Sequence, residues 1–188
     1  MKKHHGIVMS VVLLLSLVIA LVLVPDGVRA ATKKEVDASV DVALERFAKD
    51  VKGANEFLKA AKGVLVMPRV MQAGFIVGAK YGNGALRVGG KSVGYYNMIA
   101  ASAGLQIGAQ ESNIILCFMD EAALKKFRAS DGWQVGVDGT VALFVVGAGG
   151  SVDTTKLKEP IVGFVFGQAG LMAGATLEGL KFTTTNPD

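Results

Sequence analysis

The sequence predicts an α+β domain, in which an N-terminal amphipathic helix packs on a curved, barrel-like antiparallel β-sheet with one short helix inserted. Apolar residues recur at helical spacing between Thr32 and Ala61. From Gly63 onward the chain changes to short β-branched and aromatic runs, and this part holds 21 of the 24 glycines. Because glycine inside strands is tolerated where a sheet bends sharply, glycine-rich hairpins indicate strong curvature.

Residues 1–30 have the composition of a secretory signal peptide. A basic start at Lys2 and Lys3 precedes an apolar run from Ile7 to Val24, and Pro25 follows as a helix breaker. Val28 and Ala30 are the small or apolar residues that signal peptidase reads. Cleavage after Ala30 would leave an exported protein of the periplasm or cell envelope. An uncleaved membrane anchor is the alternative, because the apolar run of 18 residues approaches the length of a spanning helix.

Residues 31–62 form the N-terminal helical segment of the predicted domain. Thr32 and Glu35 have the spacing of a capping box, and Gly53 is expected to divide the segment into two helices. The apolar face consists of Val36, Val40, Leu44, Phe47, Val51, Leu58 and Ala61. The polar face consists of Lys33, Lys34, Asp37, Asp41, Arg46, Lys49, Lys52 and Lys59. Because the polar face carries both signs of charge, we predict packing on the domain rather than on a membrane surface.

Residues 63–188 form the glycine-rich β core. The run "GVLVMP" predicts a strand that ends at Pro68, because proline cannot donate to a sheet ladder. The dipeptide Asn83–Gly84 predicts a hairpin turn between two strand-like runs. Residues 110–113 are expected to connect the next two strands, and a short helix follows with Asp120 as its N-cap.

The C-terminal stretch predicts a last hairpin. A β-branched and aromatic run ends at Phe166, Gly167–Gly170 forms the turn, and Leu171–Leu177 returns as a strand. A membrane helix with a GxxxG motif is the alternative for these glycines, but it requires about 20 apolar residues. Glu178 and Lys181 interrupt the run and favour the hairpin.

The positions of histidine and cysteine exclude several kinds of site. Both histidines, His4 and His5, lie in the predicted signal peptide, so the remaining chain has no Ser-His-Asp triad and no histidine-ligated metal. The single cysteine, Cys117, lies in the apolar run "NIILCFM" and is expected to be a core residue. We therefore expect no catalytic residue, no metal and no cofactor.

Two segments resemble nucleotide-binding motifs without meeting their structural requirements. The segment "ALRVGGKS", from Ala85 to Ser92, has alanine where a phosphate loop needs its first glycine. The following "SVGYYNM" is not a helix start, although the chemistry needs helical amides at the phosphate. The second segment, "NIILCFMD", looks like the strand and acid of another nucleotide-binding motif, with Asp120 as the acid. We predict neither a nucleotide site nor a nucleic-acid partner.

Positive charge is concentrated in the first part of the domain. Residues 31–91 carry 11 Lys and Arg against 6 Asp and Glu, whereas residues 92–188 carry 6 against 9. No acid occurs from Gly63 to Lys91. Five cations at or near strand ends are predicted to form a basic rim that binds lipid: Lys62, Arg69, Lys80, Arg87 and Lys91. The alternative is that they are ordinary solvated surface charges.

Four segments, in order, give the sequence a family resemblance: "AKGVLVMPRVMQAGFIVGAKYGNGALRV", "SAGLQIGAQ", "FRASDGWQVGVDGTVALFVVGAGG" and "GFVFGQAGLMAGATLEGLK". They cover most of residues 60–181, and together they resemble the SYLF domain family in its bacterial exported form. The resemblance implies a non-enzymatic domain that binds phospholipid at a membrane surface. Eukaryotic relatives also bind phosphoinositides and actin, which an exported bacterial protein does not meet in its own compartment.

Three functional hypotheses follow. The first is a lipid-binding domain of the bacterial cell envelope that recognises anionic phospholipid or a related lipid. The second is a periplasmic structural or interaction protein, for which we expect an exposed apolar patch and no ligand cavity. The third is a carboxylate-based hydrolase in which two acids converge in a cleft with shifted pKa values. The acids considered for it are Asp131, Asp138 and Glu178.

Processing of the signal peptide is directly testable. We expect protein isolated from its native cells to begin at Ala31, because Ala30 ends a segment of the kind that signal peptidase reads. Intact-mass measurement on the soluble and envelope fractions checks this. Full-length chain in the membrane fraction would show an uncleaved anchor instead.

Overall fold

The computed structural model describes residues 31–74, 77–103, 108–147, 149–168 and 177–188. The predicted signal peptide and residues 169–176 of the predicted last hairpin lie outside these ranges. The described helices are α1 (Lys33–Asp50), α2 (Ala54–Ala60) and α3 (Glu121–Ala129), with a 3-10 helix at Thr154–Lys158. The strands are β1 (Gly63–Gly74), β2 (Val77–Val88), β3 (Lys91–Ala103), β4 (Gly108–Phe118), β5 (Trp133–Gln134), β6 (Ala142–Val146), β7 (Ile161–Phe166) and β8 (Lys181–Thr185).

The described strands form one eight-stranded sheet in the order β5-β8-β3-β2-β1-β4-β7-β6. The sheet curls into a half-barrel, and helices pack against it, which confirms the predicted α+β fold class. The pairs are antiparallel except β6 with β7, which are parallel. The prediction of a purely antiparallel sheet is therefore wrong at this edge, because residues 147–160 carry the chain back across the sheet before β7 begins.

Strand β1 continues through Pro68 instead of ending there. Its register against β4 shifts between Met67 and Val70, and Arg69 adopts a φ of 49°. Proline is tolerated inside a sheet at such a bulge, where the ladder requires no bond from its nitrogen. The predicted strand end at Pro68 is therefore wrong, and β1 is a long central strand with a bulge in its middle.

The dipeptide Asn83–Gly84 lies inside β2, so the predicted hairpin turn is wrong. A Cβ atom on Gly84 would lie 1.9 Å from the carbonyl oxygen of Val66, so the close approach of β1 requires glycine here. The turn is formed by Gly89 and Gly90, whose φ values of 56° and 79° suit a two-residue hairpin loop. The predicted connection at residues 110–113 is wrong in the same way, because it lies inside β4.

Strand β7 does not form the predicted last hairpin. One of its edges pairs with β4, from Asn113 to Phe118, and the other pairs with β6. The C-terminal strand β8 pairs with β3 and β5 in another part of the sheet. Gly167, the first residue of the predicted turn, has a φ of 66°, which favours glycine.

The predicted helix boundaries are confirmed. The Glu35 amide donates to Thr32 Oγ1 at 3.3 Å, and the Thr32 amide donates to the Glu35 carboxylate at 2.8 Å, which completes the capping box. Gly53, with a φ of 89°, separates α1 from α2. Asp120 caps α3 by accepting a 2.6 Å hydrogen bond from the Ala123 amide.

Aromatic residues fill the core inside the curl of the half-barrel. The ring centroid of Phe127, in α3, lies 4.8 Å from that of Phe118 and 5.5 Å from that of Trp133. These residues come from the middle of the sheet, its edge and the inserted helix, so α3 occupies the hollow that the curved sheet leaves. The inserted helix is thus part of the core.

A second aromatic cluster joins the N-terminal helices to the outer face of the sheet. The centroid of Phe164, in β7, lies 4.8 Å from that of Phe47 in α1 and 5.1 Å from that of Phe57 in α2. Phe47 also lies 5.0 Å from Phe166. The sheet therefore carries a core on each face, and Phe164 is the shared contact of both helices.

We expect Phe47→Ala to lower the free energy of unfolding by about 3–5 kcal/mol, because removal of a fully buried ring leaves a cavity beside Phe164. Urea unfolding followed by tryptophan fluorescence measures the loss. Val42→Ala, on the exposed side of the same helix, is the matched control and should change stability by less than about 0.5 kcal/mol. Equally small losses of unfolding free energy for the two variants would show that the packing of Phe47 does not hold α1 on the sheet.

Candidate functional site

An open groove, the helix groove, runs along one flank of α1 between the helix and the outer face of the sheet. It has three adjoining stretches of about 750, 430 and 300 Å³. Arg46 lines the first two stretches, and Ser39, Pro68 and Arg69 line the last two. These shared residues make the groove continuous from the N-terminal to the C-terminal end of α1.

The largest stretch, the basic pocket, lies at the C-terminal end of α1. Arg46 and Lys49 are three residues apart and therefore share a helix face, and Lys52 follows just past the helix end. All three are exposed. Asp50 also lines the pocket on the helix side. The opposite wall, from the ends of β6 and β7, consists of Val146, Gly147, Gly149, Phe166, Gly167 and Gln168.

Backbone contacts hold the two walls of the basic pocket together. The Lys52 amide donates to the Gly150 carbonyl at 3.1 Å, and the Lys52 carbonyl accepts from the Val152 amide at 3.0 Å. On the other side, a Cβ atom on Gly167 would lie 2.8 Å from Asn113 Nδ2 and 3.5 Å from Arg46 Nη2. Glycine at this position therefore makes room for the Asn113 amide, and the Arg46 guanidinium lies beside the backbone that follows β7.

The electrostatics of the basic pocket favour an anion. Among the described residues, no salt bridge involves Arg46, Lys49 or Lys52. Asp50 contributes one negative charge and the carbonyl end of α1 a partial charge of about −0.5, which the three cations together outweigh. Their N–H groups are the donors that bind phosphate and carboxylate oxygens, and a guanidinium can do so in a bidentate manner.

The other end of the helix groove combines apolar and polar residues. Met71 and Tyr81 provide apolar surface on β1 and β2, and Glu35 and Arg69 line the same stretch. Val42 of α1 lines the middle stretch beside Pro68. The side chains remain solvent-accessible, since Val42 is 57% exposed and Tyr81 is 50% exposed. The groove thus offers an accessible apolar surface at one end and accessible cations at the other.

Asn113 connects the two ends of the helix groove. This residue is buried, and its Oδ1 accepts a hydrogen bond from the Arg69 amide at 3.2 Å, which fixes the bulge. Its Nδ2 donates to the Phe166 carbonyl at 3.4 Å, at the wall of the basic pocket. One side chain therefore sets the positions of β1 and β7 along the groove.

The five cations predicted to form a basic rim lie in three places. Lys62, Arg87 and Lys91 lie at one end of the sheet, near the start of β1, the end of β2 and the start of β3. Arg69 lies at the bulge and lines the helix groove. Lys80 is buried in β2, and burial lowers its pKa. The role of these five residues in lipid binding stays a prediction.

Arg87 contacts α1 and is largely shielded from solvent. Its Nη2 lies 2.6 Å from Asp41 Oδ1 and 3.5 Å from Asp37 Oδ1, and its side chain is 13% exposed. Asp37 also accepts hydrogen bonds from Ser92 Oγ at 2.6 Å and from the Tyr95 hydroxyl at 3.0 Å. Burial and the bond to Asp37 raise the pKa of Tyr95. This network joins α1 to the β2–β3 hairpin, so Arg87 has a structural role.

The acids considered for hydrolysis include one with a clear turn-forming role. Asp138 Oδ2 accepts a 2.8 Å hydrogen bond from the Gln134 amide and so fixes the turn after β5. Asp131 and Glu178 are exposed.

Within the described ranges, no three His, Cys, Asp or Glu side chains are grouped as a metal site would need. None of the helices in these ranges combines the length and apolarity needed to span a bilayer.

Sequence reasoning missed the basic pocket. The helical pattern assigned Arg46, Lys49 and Lys52 only to the polar face of the helix, together with five other charged residues. The available signal is their regular spacing of three residues at the helix end, just before Gly53. The opposite wall gives no comparable signal, because the ends of β6 and β7 contribute mainly backbone.

Residues 99–187 match the family model described as Ysc84: Las17-binding protein actin regulator. The matched range contains the sheet-side wall of the basic pocket and Asn113, whereas α1 and its three cations precede it. None of the curated proteins matches the chain.

We expect Arg87→Met to lower the free energy of unfolding by about 1–2 kcal/mol, because it removes two partly exposed ion pairs, with Asp37 and Asp41, of about 1 kcal/mol or less each. Lys91→Met removes an exposed charge from the same hairpin and should cost less than about 0.5 kcal/mol. Urea unfolding of both variants measures the difference. Equal costs would argue against the structural role of Arg87.

Proposed function

The chain belongs to the SYLF domain family, and on that premise we propose that it is a non-enzymatic domain that binds anionic phospholipid in the cell envelope. The observation that carries the proposal is the helix groove, which has a cluster of three cations at one end and exposed apolar side chains, Met71 and Tyr81, at the other. A phospholipid has the same two parts in the same order, a charged headgroup and apolar chains.

In this proposal the headgroup phosphate occupies the basic pocket. Arg46, Lys49 and Lys52 supply N–H donors from one side, and the open backbone around Gly167 leaves room for the phosphate on the other. Each basic residue near an anionic headgroup contributes about 1 kcal/mol. A zwitterionic headgroup carries its own cation, so its net attraction to the pocket is smaller. Selectivity for anionic lipid follows from this difference.

The acyl portion of the lipid lies along the apolar end of the helix groove. Val42, Pro68 and Tyr81 offer it apolar surface that is otherwise exposed to water. Removal of this surface from water stabilises the complex in proportion to the area buried. Because the groove is open along its length, it suits part of a chain at a membrane surface rather than a lipid enclosed on all sides.

The absence of enzymatic activity is proposed on the chemistry of the side chains. The only histidines are His4 and His5, within the predicted signal peptide. The thiol of Cys117 is buried, and burial raises its pKa to about 12, so it is not a reactive nucleophile at neutral pH. The predicted signal peptide supports export to the envelope, where anionic phospholipid is present and actin is not.

A protein partner is the second candidate, because the matching family model is described as a Las17-binding protein actin regulator. The exposed apolar side chains near the helix groove also fit a protein interface. For an exported chain, the partner would be an envelope protein. Binding to pure lipid vesicles, in which no protein is present, separates the two candidates.

Vesicle co-sedimentation tests the lipid proposal. We expect the protein to bind vesicles that contain phosphatidylglycerol more tightly than vesicles of phosphatidylcholine alone. The preference should weaken as salt rises, because exposed charges are screened over about 8 Å at physiological ionic strength. The triple variant Arg46→Gln, Lys49→Gln, Lys52→Gln should lose about 3 kcal/mol of binding, at about 1 kcal/mol per cation.

Two further variants, one triple and one double, make the test specific. Lys33→Gln, Lys34→Gln, Lys59→Gln removes the same charge from exposed helix positions that do not line the basic pocket, and should lose much less. Lys62→Gln, Lys91→Gln tests the rim predicted from sequence. Equal losses for the two triple variants would mean diffuse attraction rather than a headgroup site. Equal binding to both kinds of vesicle would overturn the anionic preference.

A further inference from the structure

A row of exposed apolar side chains crosses three neighbouring strands beside α1. Met71 of β1 pairs with Tyr81 of β2, and Tyr81 pairs with Ile99 of β3. Because directly paired residues point to the same face of a sheet, these side chains lie next to one another. Met71 is 44% exposed, and Ile99 is 52% exposed. We call this row the apolar stripe.

The apolar stripe continues the helix groove onto the open sheet. Met71 and Tyr81 line the apolar end of the groove, and Ile99 extends the row one strand farther from it. Ala79 and Ala101 pair with each other on the same two strands, and both are exposed. The groove therefore opens onto an apolar surface rather than onto a charged one.

The charges around the apolar stripe suit an anionic surface. At one end, the exposed Lys181 of β8 pairs with Ile99. At the other end, Glu111 pairs with Met71, but its charge is compensated by Arg69 at 3.4 Å. Glu35 of α1 also lines this stretch of the groove, and its carboxylate accepts hydrogen bonds from Thr32 at the start of the helix. Within the described ranges Lys181 takes part in no salt bridge, so it is an accessible cation beside the stripe. An aromatic residue with a polar tip, aliphatic neighbours and a flanking cation is the combination found at membrane interfaces.

We propose that the apolar stripe docks the protein on the surface of an anionic bilayer. In this orientation the apolar end of the helix groove faces the acyl region, and the stripe inserts only to the depth of its side chains. The inference rests on the proposed function, because it assigns the face through which lipid enters the groove. A second copy of the chain on the same face is the competing occupant that the test must exclude.

Site-specific fluorescence tests the docking face. Ile99→Cys and the control Val137→Cys, 72% exposed in the turn after β5, each introduce one accessible thiol, since Cys117 is buried. Each variant is labelled with the environment-sensitive dye NBD and mixed with phosphatidylglycerol–phosphatidylcholine vesicles. We expect a blue shift with increased intensity at position 99 and no change at position 137. No change at position 99, or equal changes at both positions, would overturn the proposal. A blue shift at position 99 that appears without vesicles as protein concentration rises would assign the face to self-association instead.

A second measurement separates docking from lipid binding in the groove. The variant Ile99→Gln changes the one residue of the apolar stripe that does not line the helix groove, and it should bind vesicles about tenfold more weakly, a change of about 1.4 kcal/mol. It should still bind monomeric dihexanoyl phosphatidylglycerol like the original protein, since the basic pocket is unchanged. Undiminished vesicle binding would overturn the proposal.

The two proposals can fail independently. If dihexanoyl phosphatidylglycerol binds but the NBD fluorescence at position 99 does not change on vesicles, the docking face is wrong and the lipid function stands. If position 99 responds but the Arg46→Gln, Lys49→Gln, Lys52→Gln variant binds dihexanoyl phosphatidylglycerol unchanged, the docking face stands and the headgroup site is wrong.

Discussion

The bulge in β1 at Pro68 and Arg69 is the constraint on which the helix groove depends. Before it, Leu65 and Met67 lie in the core inside the curl, and Val66 lies in the core beneath the helices. After the bulge, Val70 lies in the inner core, and Met71 is exposed to solvent. The two bulge residues, Pro68 and Arg69, thus shift the inward–outward alternation of the strand by one residue. Both of them line the middle stretch of the groove.

Two unlike interactions hold α1 beside the groove. At its C-terminal half, the buried ring of Phe47 packs on Phe164, and loss of such a ring costs about 3–5 kcal/mol. At its N-terminal half, Arg87 joins Asp37 and Asp41 to the β2–β3 hairpin. Partly exposed ion pairs contribute less, about 1 kcal/mol or below. The ring therefore anchors the helix, whereas the ionic contacts set its rotation. That rotation determines which polar residues face solvent and which face the groove.

Local rules in the sequence were sufficient for the helices and insufficient for the site. The capping box at Thr32, the break at Gly53 and the cap at Asp120 depend on residues a few positions apart, and the structure confirms them. Gly84 was assigned to a turn because its actual cause, the carbonyl of Val66, lies on another strand. The sequence does not reveal that Arg87 pairs with Asp41, because the two residues lie 46 positions apart. From the sequence alone, a glycine or a cation in this chain has more than one possible role. Only the pairing of the strands in the structure distinguishes between these roles.

The basic pocket likewise forms only in the folded chain, because its two walls come from distant parts of the sequence. Arg46 and Lys49 would be ordinary cations near a helix end if β6 and β7 did not bring an open glycine backbone opposite them. The α1 cations precede the range matched by the family model, whereas the opposing wall lies within it. The pocket therefore combines a wall from the matched range with charges contributed by this chain's own helix. Ligand preference at this position depends on the helix, and the open wall depends on the sheet.

The magnitudes involved require both ends of the helix groove to act together. Three cations at about 1 kcal/mol each supply about 3 kcal/mol, which corresponds to about a hundredfold in affinity. Such a contribution gives weak and salt-sensitive attachment, and stable association with a bilayer generally needs a second signal. The apolar surface formed by Met71, Tyr81 and Ile99 is of the kind that supplies it. In the proposed function, the cations and this surface contact different parts of the same lipid. The proposal thereby also specifies an orientation of the domain, with the basic pocket at headgroup level and the apolar stripe toward the acyl chains.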